Sequence, residues 1–138
     1  MRTRRRERGA TLVEAALTIL LLITLLFGIV EFGMAYHVYQ IATNAAREGA
    51  RFSVAPDPVT GLLPSTTQVQ ERVQQYLDIG RIDVPPENIV ITQNTTQSVN
   101  NVFLTITTVN ISTPYEFNAL PFGSITISTE ARMRNETN

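Results

Sequence analysis

Apolar and polar positions divide the chain into stretches of different rhythm. Arg2, Arg4, Arg5, Arg6 and Arg8 crowd the first nine residues, and from Leu12 to Val30 the pattern turns almost continuously apolar. Thirteen residues of that run are Leu, Ile, Val or Phe, and Glu14 is its only charged side chain. As a helix the run spans roughly 30 Å, the thickness of a bilayer's hydrocarbon core. At about −0.3 to −0.6 kcal/mol per apolar residue it contributes roughly −4 to −8 kcal/mol to insertion, whereas one carboxylate near its end costs at most about 3. A transmembrane helix is therefore predicted.

Helical character continues beyond the span, because Val30 to Phe52 contains no Pro and many Ala, Glu, Arg and Gln. One helix from about Ala10 to Val54 is predicted, on the order of 65 Å long, so that its second half stands outside the membrane as a stalk. Phe32, Tyr36, Tyr39, Thr43, Ala46 and Ala50 recur at three- and four-residue steps and predict a packing face. Ala55-Pro56-Asp57-Pro58 ends the helix, since Pro lacks an N–H donor and pushes the residue before it out of the helical region.

A second helix opens with a capping box, Ser65 as cap and Gln68 reaching back, followed by the stripe Val69, Val73, Tyr76 and Leu77 and a stop at Gly80. Three runs rich in Val, Ile and Thr then read as strands: Asn88–Thr95, Val102–Ile111 and Ser124–Met133, the first two joined through Ser98-Val99-Asn100-Asn101. The predicted fold is α+β: a long transmembrane and stalk helix, then one helix on a three-stranded antiparallel sheet. Its parts are a basic leader 1–9, the helix 10–54, a linker 55–64 and an extracytoplasmic domain 65–138.

Charge adds orientation. The formal net charge of −1 hides five Arg ahead of the span, against Arg47 and Arg51 well after it. That asymmetry predicts a cytoplasmic N-terminus and an extracytoplasmic C-terminal domain. The apolar run is too long for an ordinary secretory signal and leads into Glu31-Phe32-Gly33 rather than an A-x-A-like site. The chain has no Cys and a single His, His37. It offers no disulfide, no thiolate metal site and no nucleophile–base pair, so neither a cofactor nor an enzymatic activity is expected. The Arg cluster lacks the aromatic or Gly interleaving of a nucleic-acid patch, and the adjoining span accounts for it.

The most informative string is Arg8-Gly9-Ala10-Thr11-Leu12-Val13-Glu14: a basic leader, a small residue, and a carboxylate inside an apolar helix. A carboxylate there is costly and marks a functional residue with a partner to be found. This layout resembles a prepilin cleavage site. Two further strings, Phe27-Gly28-Ile29-Val30-Glu31-Phe32-Gly33 and Asn44-Ala45-Ala46-Arg47-Glu48-Gly49-Ala50-Arg51, resemble the TadE-like (TadE/TadG) pseudopilins of tight-adherence (Tad/Flp) pilus systems. The resemblance runs from about Arg4 to Phe52. It implies cleavage between Gly9 and Ala10 by a prepilin peptidase, retention of the apolar helix, and a structural role in Flp pilus biogenesis and surface adhesion. The implied partners are other pilin subunits, inner-membrane Tad assembly proteins and membrane lipid, and Glu14 is implied to meet the new α-amine of Ala10 on a neighbouring subunit.

The chain departs from ordinary type IV major pilins in having Ala10 where those usually begin with Phe, and in lacking paired Cys. It departs from the short Flp pilins in its outer domain and in Ala15 after Glu14. Removal of the leader would leave six Arg against eleven acidic residues, a side-chain balance of −5. Glu31, near the outer edge of the span, is expected to reach water or to contact a subunit. Arg47, Glu48 and Arg51 lie within about one turn, with Glu48 able to pair with Arg51 on a solvated face, and the resemblance adds them as assembly residues. An uncleaved, signal-anchored binding protein is the alternative.

Overall fold

The computed structural model describes residues 3–99, 102–117 and 123–135. Helix α1 runs from Thr3 to Ser53 and helix α2 from Thr66 to Ile79, followed by a 3-10 turn at Pro86–Asn88 and strands β1 (Ile89–Val99), β2 (Val102–Glu116) and β3 (Ser124–Arg134). The strands form one antiparallel sheet in the order β1-β2-β3. The α+β layout is the one the sequence predicts, and α1 ends within one residue of the predicted stop. Its start differs: α1 opens at Thr3 rather than at Ala10, so the backbone of residues 3–9 continues the helix. Arg and Glu are good helix formers, and one Gly costs only about 1 kcal/mol, too little to break a helix that is propagating on both sides.

Of the predicted packing face of α1, Ala46 and Ala50 are buried, whereas the aromatic positions stay largely exposed. Phe32 and Tyr36 remain 62% and 61% exposed, and Tyr39 is also exposed, whereas Glu31, Ala35, Ala42, Ala45, Ala46, Ala50 and Ser53 are buried. Small residues win because they let α2 and the sheet come close. A methyl group added at Gly49 would sit 2.3 Å from a Val73 methyl, and one added at Gly80 would sit 2.5 Å from a methyl of Ile41. Ala42, Ala45, Ala46 and Ala50 thus share one core with Val69, Val73 and Leu77 of α2, Val84, Ile89 of β1, and Val109 and Ile111 of β2.

The capping box of α2 forms as predicted. Gln68 N–H donates to Ser65 Oγ at 3.3 Å, and Ser65 N–H donates to Gln68 Oε1 at 2.8 Å. Of the predicted stripe, Val69, Val73 and Leu77 are buried and Tyr76 is exposed. Gly80 caps α2 with an ordinary right-handed φ of −74°, and the left-handed turn falls on Arg81 at φ 57°. Gly80 therefore serves the close approach to Ile41 rather than the turn. In the linker, Asp57 Oδ1 accepts from the N–H groups of Val59 and Thr60, both at 2.8 Å, which holds its carboxyl below the usual carboxylate range.

The strands run longer than predicted, β1 to Val99 and β2 to Glu116. Between Thr92 and Thr95 the register of β1 slips by one residue, with Asn94 at φ 57°. This bulge sets Gln93 and Asn94 of β1 against Thr107 of β2 alone. Gln93, within the bulge, accepts from Thr66 Oγ1 at 3.0 Å and donates to the Pro64 carbonyl at 3.1 Å, tying β1 to the start of α2. Asn100 and Asn101 of the predicted hairpin lie outside the described residues.

Candidate functional site

The predicted processing bond lies within α1. Gly9 and Ala10 are exposed, and a side chain at Gly9 would meet nothing within 4 Å. Every residue from Gly9 to Phe27 is exposed, and α1 is one helix long and apolar enough to cross a membrane with none of its most apolar stretch buried by the rest of the chain. A continuous sheath of Leu and Ile is not tolerated in water and needs lipid or other helices around it. Within this sheath Thr18 and Thr24 donate their hydroxyls to the carbonyls of Glu14 and Leu20, each at 2.9 Å, so neither hydroxyl is stranded. The Glu14 side chain is exposed and, among the described residues, makes no ion pair.

At the C-terminal end of the apolar run the environment of the carboxylates changes. Glu31, expected to reach water, is 1% exposed. Tyr115 of β2 donates its hydroxyl to Glu31 Oε2 at 3.1 Å and lies 3.4 Å from the Glu31 carbonyl oxygen. Burial, and then the hydrogen bond to Glu31 and its charge, push the Tyr115 hydroxyl above its ordinary pKa. The Tyr115 ring packs edge-to-face on Phe117 at 5.4 Å, and Phe117 in turn on Phe32 at 5.9 Å. These aromatic edges clasp the sheet to the stalk.

Farther out, Glu48 is the centre of a fork. Arg51 pairs with it at 3.0 Å, as the spacing on the helix predicts, and Arg72 of α2 pairs with it at 2.9 Å. The Glu48 side chain is 17% exposed. The Arg72 hydrogen bonds, chiefly, and those of Arg51 hold its carboxyl below the ordinary value against the opposing effect of burial. Arg72 also lies over the Phe52 ring at 5.9 Å. Glu48 thus joins stalk to α2 inside this chain, while Arg47 points outward. Among the described residues no group of three or more His, Asp or Glu side chains is placed to hold a metal.

The TadE-like protein family model matches residues 9–51. This segment of the chain is TadE-like. The match suggests a protein associated with the Tad pilus system and begins at the Gly of the predicted processing bond. No curated protein and no solved structure matches the chain.

The TadE-like segment holds every residue singled out in the sequence, Gly9, Ala10, Glu14, Glu31, Arg47, Glu48 and Arg51, and the fold does not gather them. They lie at successive heights along one helix. Their partners, Tyr115 and Arg72, come from outside the matched segment, from strands and a helix whose own patterns carry no mark of the pairing. Arg72 could have been suspected, since it sits one position before the buried Val73, at the margin of the packed face of α2. Tyr115 had no such signal, because its strand was predicted to end at Ile111.

Proposed function

We propose that this chain is a minor pilin or pseudopilin of a Tad-type pilus apparatus. Its N-terminus lies in the cytoplasm, prepilin peptidase cuts it between Gly9 and Ala10, and the helix from Ala10 stays in the membrane with the α+β domain on the extracytoplasmic side. Its role is structural, in pilus biogenesis and surface adhesion, with pilin subunits and inner-membrane Tad proteins as partners. Glu14 carries the reading: a carboxylate set in an exposed apolar helix, with no cation of its own chain paired to it among the described residues, calls for a cation from elsewhere. Cleavage would supply one in the α-amine of Ala10 on a neighbouring subunit.

One observation favours the alternative of an uncleaved, signal-anchored binding protein: α1 passes through the Gly9–Ala10 bond without a break, so a protease would first have to unwind its turn. Intact mass and N-terminal sequencing of protein from native membranes, with and without the peptidase, separates the two. A mature chain starting at Ala10 only when the peptidase is present is the expected result, and a full-length chain in both cases would leave the signal-anchored protein standing.

A further inference from the structure

We infer that the foot of the sheet, formed by Tyr115, Phe117 and Ile125 against Phe32 of the stalk, is a second membrane contact that rests in the outer interface of the bilayer. The inference rests on α1 spanning the membrane.

The direction of β2 places this foot. Gly49 of α1 packs beside Val109, within van der Waals reach of its methyls, and Glu31 is bonded to Tyr115. From Gly49 to Glu31 the helix descends roughly 27 Å, and from Val109 to Tyr115 the strand covers about 20 Å in the same direction. The strand therefore runs down the stalk towards the membrane, and Phe117 lies two residues lower still. Glu31 and Phe32 immediately follow Val30, the last residue of the apolar run. The hairpin end, closed by the Phe117 N–H donating to the Gly123 carbonyl at 3.1 Å, is thus level with the end of the span.

Its chemistry fits an interface. Phe117 is half-buried against Phe32 and Tyr115, Ile125 pairs across the ladder with Tyr115 and is 42% exposed, and Phe32 keeps most of its ring exposed. Exposed apolar and aromatic side chains continuous with a membrane span belong at the headgroup boundary, with the Tyr hydroxyl turned to a polar partner. Of the two acidic residues here, Glu31 is buried and bonded to Tyr115, and Glu116 alternates to the other face of the strand. The sequence joining Phe117 to Gly123 carries no charge. Arg132 and Arg134 lie toward the opposite end of β3, so the contact is apolar rather than an attraction to anionic lipid.

The chain contains no Trp, so single Trp probes report cleanly. The full chain carrying Leu21→Trp, Phe117→Trp, Ile125→Trp or Gln97→Trp would be reconstituted into phosphatidylcholine vesicles brominated at shallow or deep acyl positions. Trp at position 21 should be quenched by deep bromines. Trp at 117 and at 125 should be quenched several-fold more by shallow bromines than Trp at 97, which lies on the exposed far part of β1 and should respond to aqueous acrylamide. Quenching at 117 and 125 should persist in high salt and without anionic lipid. If both probes behave like position 97 while position 21 is quenched, the foot stands in water and the inference fails with the span intact. If position 21 also escapes lipid, the span and the inference fail together. Protection at 117 from lipid and acrylamide alike, released on diluting the protein in lipid, would assign this surface to a second copy of the chain and overturn the lipid contact.

Discussion

Tyr115 donates its hydroxyl to the carboxylate of Glu31 at 3.1 Å across 84 residues of sequence, and so ties the central strand to the stalk where the apolar run ends. A hydrogen bond to a charged, buried acceptor contributes more than an exposed ion pair of equal length, because water does not compete for it. Tyr115→Phe keeps the ring contacts with Phe117 and removes the hydroxyl. It should lower the stability of the outer domain by about 1–2 kcal/mol, measured by thermal unfolding of the full chain in detergent. An unchanged melting temperature would mean that the ring packing alone holds the clasp.

The same pair sets an alkaline limit. The folded Tyr115 hydroxyl titrates above its ordinary value of 10.0, first because of burial and then because of Glu31. The protonated phenol is favoured by the fold, so its contribution is whole below about pH 10 and is lost as pH rises from there through the folded value. Unfolding scans should show a fall in stability above pH 10 in the native chain that is reduced in Tyr115→Phe. Identical alkaline profiles would contradict it.

What was legible in the sequence was what neighbouring residues signal to one another. The uninterrupted apolar run, the Ser65–Gln68 box and the Val–Ile–Thr runs each mark an element locally, and each element is present. The packing face of the stalk is only partly legible: Ala46 and Ala50 of the predicted face are buried, but Tyr36 and Tyr39, large and helically spaced, stay exposed, and the sheet and α2 settle instead on the small residues Ala42, Ala45 and Gly49 that permit close approach. The pairing of Glu31 with Tyr115 and of Glu48 with Arg72 depends on the tertiary fold, as does the slip at Thr92–Thr95 that shifts the register of β1 on β2. The left-handed Asn94 was its one local trace.

Glu48 predicts an acid limit. Its folded carboxyl titrates below its ordinary value of 4.5, mainly through Arg72, so the stabilisation is present above that value and lost as pH falls through the lower, folded one. Arg72→Gln should cost on the order of 1 kcal/mol at neutral pH. The gap between native chain and variant should close in acid, and Glu48→Gln should make the Arg72 substitution nearly silent at every pH. A gap that persists at low pH would assign the loss to packing of Arg72 on Phe52 instead.

Glycines of α1 should separate by what surrounds them. Gly49→Ala forces a methyl to within 2.3 Å of Val73 and should cost about 1–3 kcal/mol, partly restored by Val73→Ala. Gly33→Ala meets open space and should leave the domain unharmed or stabilise it by up to about 1 kcal/mol. Equal effects at the two positions, read by protease resistance of the outer domain, would argue against the packing of α2 on the stalk.

Processing and assembly can be separated at the other end of the helix. Gly9 has nothing within 4 Å of where a side chain would go, so Gly9→Leu should fold and insert as the native chain does. It should accumulate as an uncut precursor, visible as a mass shift in membranes that contain the peptidase. Glu14→Ala removes the costly carboxylate without touching any described ion pair, and should insert as well as or better than the native chain, since the substitution recovers up to about 3 kcal/mol of insertion cost. It should still be cut at Ala10. What it should lose is crosslinking between the helices of neighbouring subunits and, with it, incorporation into the pilus system. Normal assembly of Glu14→Ala would show that the carboxylate has no partner amine, and that the apolar helix packs without it.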